Sequence, residues 1–173
     1  MAYFYCWRLS RGSSFIFPAA PIWTRQSQPN CQINNSSRVE YLVTAVGCHD
    51  CHSPTVMTDK APNVDKSRML SGNLADQPIP PFDTNMVRSQ YWVLMGGDGT
   101  AYVGPWGISF AANLTPDSIT GIGAWTEEQF TKTLRTGKHL GLDRGRDILP
   151  RMPRNVYNKL DDEDLASIFA YLK

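Results

Sequence analysis

The five residues Cys48-His49-Asp50-Cys51-His52 constrain this chain more than any other stretch. The 173-residue sequence holds 4 cysteines, too few to staple a chain of this length with disulfides, so their spacing matters more than their number. Cys6 and Cys31 stand alone, whereas Cys48 and Cys51 are followed at once by a histidine. The spacing C-x-x-C-H is the attachment signature of a c-type haem. Two thiols add across the two vinyl groups of a porphyrin. The next histidine then offers an imidazole nitrogen to the iron, and a second imidazole or a thioether can complete the coordination. A bare C-x-x-C also suits a redox dithiol or half a zinc site. Zinc needs two further ligands, and the candidates Cys6, Cys31 and His139 have no paired spacing. A thioredoxin-like module needs a strand before the motif and a helix after it, and here the order is reversed.

Three helix starts organise the chain. Ser37-Arg38-Val39-Glu40 has the capping-box pattern, in which the serine oxygen accepts from the Glu40 amide and the glutamate returns to the serine amide. Val39, Leu42, Val43 and Val46 then fall on one helical face, and Gly47 ends the run immediately before the motif. A second helix starts at Thr126, with a capping box over 126–129, Trp125 and Phe130 as a hydrophobic staple, and Gly137 as the stop. A third starts at Asp161, with Asp162, Glu163 and Asp164 in the first turn and Leu165, Ile168, Phe169 and Leu172 as the buried stripe. That acidic cluster reads as helix-start chemistry rather than a docking patch.

Between the first two helices lies a long stretch of turn residues, including Pro78-Ile79-Pro80-Pro81, Gly96-Gly97-Asp98-Gly99 and Gly104-Pro105-Trp106-Gly107. No lysine follows the glycines in phosphate-loop spacing and no G-x-G-x-x-G is present, so they read as turns. Loops this long need something to pack on. A porphyrin would bury several hundred Å² of apolar surface, on the order of 10 kcal/mol as an upper figure. A haem iron with one histidine takes a sixth ligand or stays open. Met57 is too close to the motif to reach the opposite face, and Met69, Met86 and Met95 lie in the loop stretch. Met152 sits in Leu149-Pro150-Arg151-Met152-Pro153, where the prolines make a stiff non-helical strap. A thioether on such a strap suits a sixth ligand; the plain alternative is a core methionine filling a gap.

The net charge of +1 argues against a nucleic-acid binder held by bulk charge. The apolar stretch 15–23 is short and carries Pro18 and Pro21, so it cannot span a bilayer, and no segment near the C-terminus could serve as an anchor. Residues 1–36 read as a targeting-like leader or a disordered arm. Arg8 and Arg11 precede an apolar stretch, but prolines interrupt it and the export signal is atypical. Residues 26–37 read as a polar linker. Cys6 and Cys31 could pair in an oxidising compartment and are given no role.

The run Tyr41-Leu42-Val43-Thr44-Ala45-Val46-Gly47-Cys48-His49-Asp50-Cys51-His52-Ser53-Pro54 resembles the attachment region of class I c-type cytochromes. Met69-Leu70-Ser71-Gly72, Ala111-Ala112-Asn113-Leu114-Thr115-Pro116-Asp117, Thr120-Gly121-Ile122-Gly123, Leu134-Arg135-Thr136-Gly137-Lys138-His139 and the strap around Met152 resemble one bacterial branch. Cytochromes of that branch serve membrane dehydrogenases for alcohols, aldehydes and sugar acids. The resemblance covers roughly residues 38–173 and has one C-x-x-C-H where many relatives have several. It implies an all-α class I cytochrome c fold over residues 37–173, with the first and last helices crossing around one covalent haem c. Ala45 would allow their close approach and Phe169 would be the aromatic partner. The resemblance further implies thioether bonds from Cys48 and Cys51, iron ligation by His52 and Met152, and Trp106 and Asn113 as haem-surround candidates. The implied function is electron transfer, not catalysis. Its partners would be a dehydrogenase subunit on one side and a quinone or oxidase on the other, in the periplasm, with peripheral membrane association through a complex. The competing function is a haem-based sensor or peroxidase-like enzyme with an open or displaceable sixth site. A zinc or dithiol module using Cys48 and Cys51 is the third.

Overall fold

The computed structural model describes residues 35–88 and 91–173. The expected leader, with Cys6 and Cys31, lies outside the described residues, apart from its last two positions.

Helix α1 spans Asn35–Ala45. It begins two residues before the expected cap, so Ser37 falls inside its first turn. Its apolar face is the expected one: Val43 is fully buried, and Leu42 and Val46 pack on the core. Gly47 then adopts a left-handed conformation with φ 76° and caps the short helix α2, Cys48–His52. An L-residue pays about 1–2 kcal/mol in that region, so glycine lets the chain change direction between the two helices at little cost.

Helix α4, Glu127–Thr136, forms as expected, with Thr126 accepting from the Gln129 amide and the Gln129 side chain accepting from the Thr126 amide. Gly137, φ 72°, ends it. Helix α6, Asp162–Leu172, is capped by Asp161, which accepts from the Asp164 amide at 2.8 Å. Leu165, Ile168, Phe169 and Leu172 are all buried. Two further short helices are α3, Thr84–Arg88, and α5, Arg154–Tyr157.

The core gathers Val43 of α1, Phe130 and Leu134 of α4, Tyr157 of α5 and the buried stripe of α6, with Leu70 and Ile122 from loops. Helix α1 packs on α6, and α4 packs on both α5 and α6. The rings of Phe130 and Phe169 meet at 5.3 Å between centroids. The first and last described helices therefore do meet, with Phe169 in the core. Ala45 does not make the approach: it is exposed, and Val43 is the residue buried at that helix.

The expectation of an all-α chain is not met. Strands β1, Thr55–Met57, and β2, Pro62–Val64, form an antiparallel pair. Strands β3, Leu94–Met95, β4, Ala101–Gly104, and β5, Gly107–Phe110, form an antiparallel sheet in the order β3-β4-β5. The glycine-rich segments are turns, as read, but they are the turns of hairpins. Gly104 pairs with Gly107 across the two-residue turn Pro105-Trp106, the shortest common hairpin connection. Tyr102, Val103 and Ile108 supply the aromatic and β-branched side chains that favour a pleated, half-buried surface. Among the described residues, no helix is long and apolar enough to cross a membrane.

Candidate functional site

Helix α2 carries Cys48, Cys51 and His52 on little more than one turn. Cys48 and Cys51 are unpaired thiols, both half-buried. Burial pushes the Cys48 thiol up to about 11, and the nearby Asp50 carboxylate and Cys51 add to the rise. Cys48 also borders the hydrophobic core.

The His52 ring is oriented by a distant backbone group. Its Nδ1 donates to the Ala112 carbonyl at 2.8 Å. A carbonyl only accepts, so Nδ1 holds the proton and Nε2 keeps the lone pair. Burial lowers the pKa of His52, and the bond to Ala112 opposes the shift without reversing it. The imidazole is thus neutral near pH 7, the state a metal ligand needs.

Two loop segments clasp the motif. The Gly72 amide donates to the His52 carbonyl at 2.8 Å, and the Asn73 amide to the Ala111 carbonyl at 3.0 Å. The Leu114 amide donates to the Leu70 carbonyl at 2.8 Å, which joins the two segments. Gly72 has φ 69°, and a Cβ there would lie 2.5 Å from the Ala111 oxygen and from the Ala112 carbonyl carbon. Only glycine permits this approach. The fully buried Ser53 hydroxyl accepts from the Leu70 amide at 2.9 Å and donates to His49 Nδ1 at 2.9 Å. The buried Tyr102 hydroxyl donates to the Gly99 carbonyl at 2.8 Å and lies 3.2 Å from the Cys51 sulfur. Burial raises the pKa of Tyr102, and its contact with Cys51 adds to the effect.

The other expected site residues occupy different places. Met152 is half-buried and packs on the same core that Cys48 borders, whereas Met57, Met69, Met86 and Met95 are exposed. Asn113 organises its own loop: its Oδ1 accepts from the Thr115 amide and hydroxyl, and its Nδ2 donates to the Thr120 hydroxyl. It adjoins Ala112 in sequence and so shapes the segment that holds His52. Trp106 donates from its indole to the Ser109 hydroxyl. Ala112, Gly72, Ser53 and Tyr102 were not singled out from the sequence as site residues. Backbone acceptors carry no residue-type signal, and Ser53, Gly72 and Ala112 appear only inside longer matched runs.

The donor set fits a covalently held haem. Two thiols stand a helical turn apart beside a neutral imidazole whose free lone pair is fixed by a carbonyl. Among the described residues, no group of three or more His, Cys, Asp or Glu side chains forms a metal cluster of another kind.

No family model matches the chain. As a class, the proteins it resembles are cytochrome c subunits of dehydrogenases for fructose, alcohol and gluconate. The chain is 42% identical over 74 residues to the fructose dehydrogenase cytochrome subunit of Gluconobacter japonicus, a match covering 43% of this chain and 15% of that protein. It is 37% identical over 67 residues to the cytochrome c subunit of the quinone alcohol dehydrogenase of Gluconobacter oxydans, covering 39% of this chain and 13% of that protein. A longer match, 28% identical over 118 residues, is to the corresponding subunit of Gluconacetobacter polyoxogenes and covers 60% of this chain and 24% of that protein. The chain thus spans less than a quarter of the length of each of these relatives.

Proposed function

We propose that this chain is an electron-transfer subunit carrying one haem c within residues 37–173. Cys48 and Cys51 tether the group through thioether bonds, each thiol proton passing to the second vinyl carbon as the C–S bond forms. His52 ligates the iron through Nε2, and Met152 supplies the sixth ligand. When bound, the haem exchanges single electrons as its iron alternates between ferrous and ferric. The protein's own part is to hold it. His52 is kept in one tautomer by Ala112, the loops 70–73 and 111–114 close over the motif, and Met152 is presented from a stiff strap. A thioether favours ferrous iron and raises the potential.

The observation that carries this reading is the His52 Nδ1 bond to the Ala112 carbonyl, which leaves a neutral, aimed nitrogen directly after two free thiols. The relatives' names support the rest. Electrons would pass from a dehydrogenase subunit to a quinone or oxidase in the periplasm, with membrane association through that complex.

A pyridine haemochrome spectrum of protein made with the haem-attachment machinery tests covalent attachment. Covalent haem is the expected result, and its absence would sink the proposal in favour of a zinc or dithiol module. Ferric Met152→Ala should then lose the thioether–iron absorption band. A wild-type protein that lacks this band and binds small ligands readily would instead be a sensor or peroxidase-like protein.

A further inference from the structure

The segment that carries Met152 is tied at both ends. Before it, the Ser109 hydroxyl donates to the Pro150 carbonyl at 2.5 Å. The same hydroxyl accepts from the Trp106 indole N–H at 3.3 Å. After it, the Arg154 amide donates to the Met152 carbonyl at 2.9 Å, and the Tyr157 hydroxyl donates to the Val46 carbonyl at 2.6 Å, two residues before Cys48. Pro150 and Pro153 have no N–H to contribute, so the strap depends on the few bonds it accepts.

The tie before Met152 is built from a rigid element. Ser109 is buried on β5, which pairs with β4 along its whole length. Trp106 is placed by the same hairpin, because a Cβ on Gly104 would lie 2.5 Å from the indole ring. The direction of the bonds is fixed too. An indole can only donate, so the Ser109 oxygen accepts there and its own hydrogen points to Pro150. Bonds in series strengthen one another.

We infer that Ser109 and Trp106 are positioning residues for the Met152 thioether, acting through the Pro150 carbonyl. The inference rests on Met152 being the sixth ligand. The sheet that breaks the all-α expectation then has a task, which is to hold the strap at a fixed place relative to the motif. Loosening the strap raises the fraction of protein whose thioether is off the iron. An added ligand such as imidazole binds only that fraction, so its apparent affinity reads the fraction directly.

The test uses the haem-loaded full chain and imidazole as the probe, with the ferric thioether–iron band and the reduction potential as further readouts. Ser109→Ala should bind imidazole about five-fold more tightly, the effect of one lost hydrogen bond, and its potential should fall. Ser109→Thr keeps a hydroxyl and should restore wild-type binding. Trp106→Phe should shift affinity the same way by a smaller factor, and it carries the test if Ser109→Ala fails to load haem. In a Met152→Ala background, Ser109→Ala should change nothing. Unchanged imidazole affinity in both Ser109→Ala and Trp106→Phe would overturn the inference, as would a Ser109 effect that persists without Met152. If Met152→Ala itself keeps the band, the ligand reading fails and takes this inference with it. Loss of the band there with no Ser109 or Trp106 effect refutes the positioning role alone.

Discussion

A single methyl group at Gly72 should disturb both the fold and the ligand. Gly72 adopts φ 69°, and a Cβ on it would meet the Ala111 oxygen at 2.5 Å, the Ala112 carbonyl carbon at 2.5 Å and the Ala112 oxygen at 2.6 Å. All three are backbone atoms, so no side-chain rotation can relieve the clash. The Ala112 oxygen is also the acceptor for His52 Nδ1. Gly72→Ala therefore carries about 1–2 kcal/mol for the left-handed conformation. Displacing the Ala112 carbonyl from His52 adds about 1 kcal/mol for the lost hydrogen bond. Against these, alanine restricts the unfolded chain and returns about 0.4–1 kcal/mol. The net expectation is a loss of about 2 kcal/mol, before any cost of moving the 111–112 backbone. Urea unfolding of the haem-loaded protein, followed by far-UV circular dichroism, measures it. Gly97 is the control: it has nothing within 4 Å of a Cβ, and alanine there should stay within about 0.5 kcal/mol of wild type. If Gly72→Ala were as stable as the Gly97 variant, segments 72 and 111–112 would not be in contact. Ala112 could then not be the group that orients His52.

Three further outcomes test the surrounding fold. Leu165 is fully buried between α1 and the rest of the core, and Leu165→Ala should cost about 2–5 kcal/mol in chemical denaturation; a loss below 1 kcal/mol would contradict that packing. Thr126→Ala removes the capping box of α4 and should cost about 1 kcal/mol, seen as a lowered Tm; an unchanged Tm would mean the cap is idle. Asp65 is held down to about 2 by hydrogen bonds from the Ser67 hydroxyl, the Arg68 guanidinium and the Ser67 amide. Its folded pKa lies below the unfolded one, so the unfolded chain binds the proton more readily. The stability this group adds is present above about pH 4 and is lost as pH falls toward 2. Asp65→Asn should flatten the pH dependence of stability in that window, and an identical slope would exclude the bonds to Ser67 and Arg68.

The parts of the fold that were legible in the sequence are those whose signals are local. Thr126 with Gln129 and Asp161 with Asp164 each close a cap within four residues, and the stripe of α6 is complete within two turns. The start of α1 was misplaced because a serine followed by glutamate three residues on looks the same at a cap as inside a first turn. The strands were missed because each is two to four residues long and set among glycines and prolines. Their pairing comes from partners across a hairpin, and alternation over so few positions carries little information. The thiols and His52 were legible because their spacing is itself the chemistry. The acceptor for His52 was not, since a peptide carbonyl is the same at every residue and this one lies 60 residues along the chain. Trp106 and Asn113 entered through a family resemblance, and their side chains are engaged with Ser109 and with the 113–120 loop.

That separation along the chain also sets an order in time. Synthesis runs from the N-terminus, so Cys48, Cys51 and His52 exist 60 residues before the carbonyl that immobilises the ring. At about 5–20 residues per second, that gap lasts on the order of 3–12 s. During it the motif is a short, uncovered piece of chain. The Tyr157 bond to Val46 comes later still, 111 residues after its acceptor. A chain arranged this way leaves its thiols open to modification early and encloses them last.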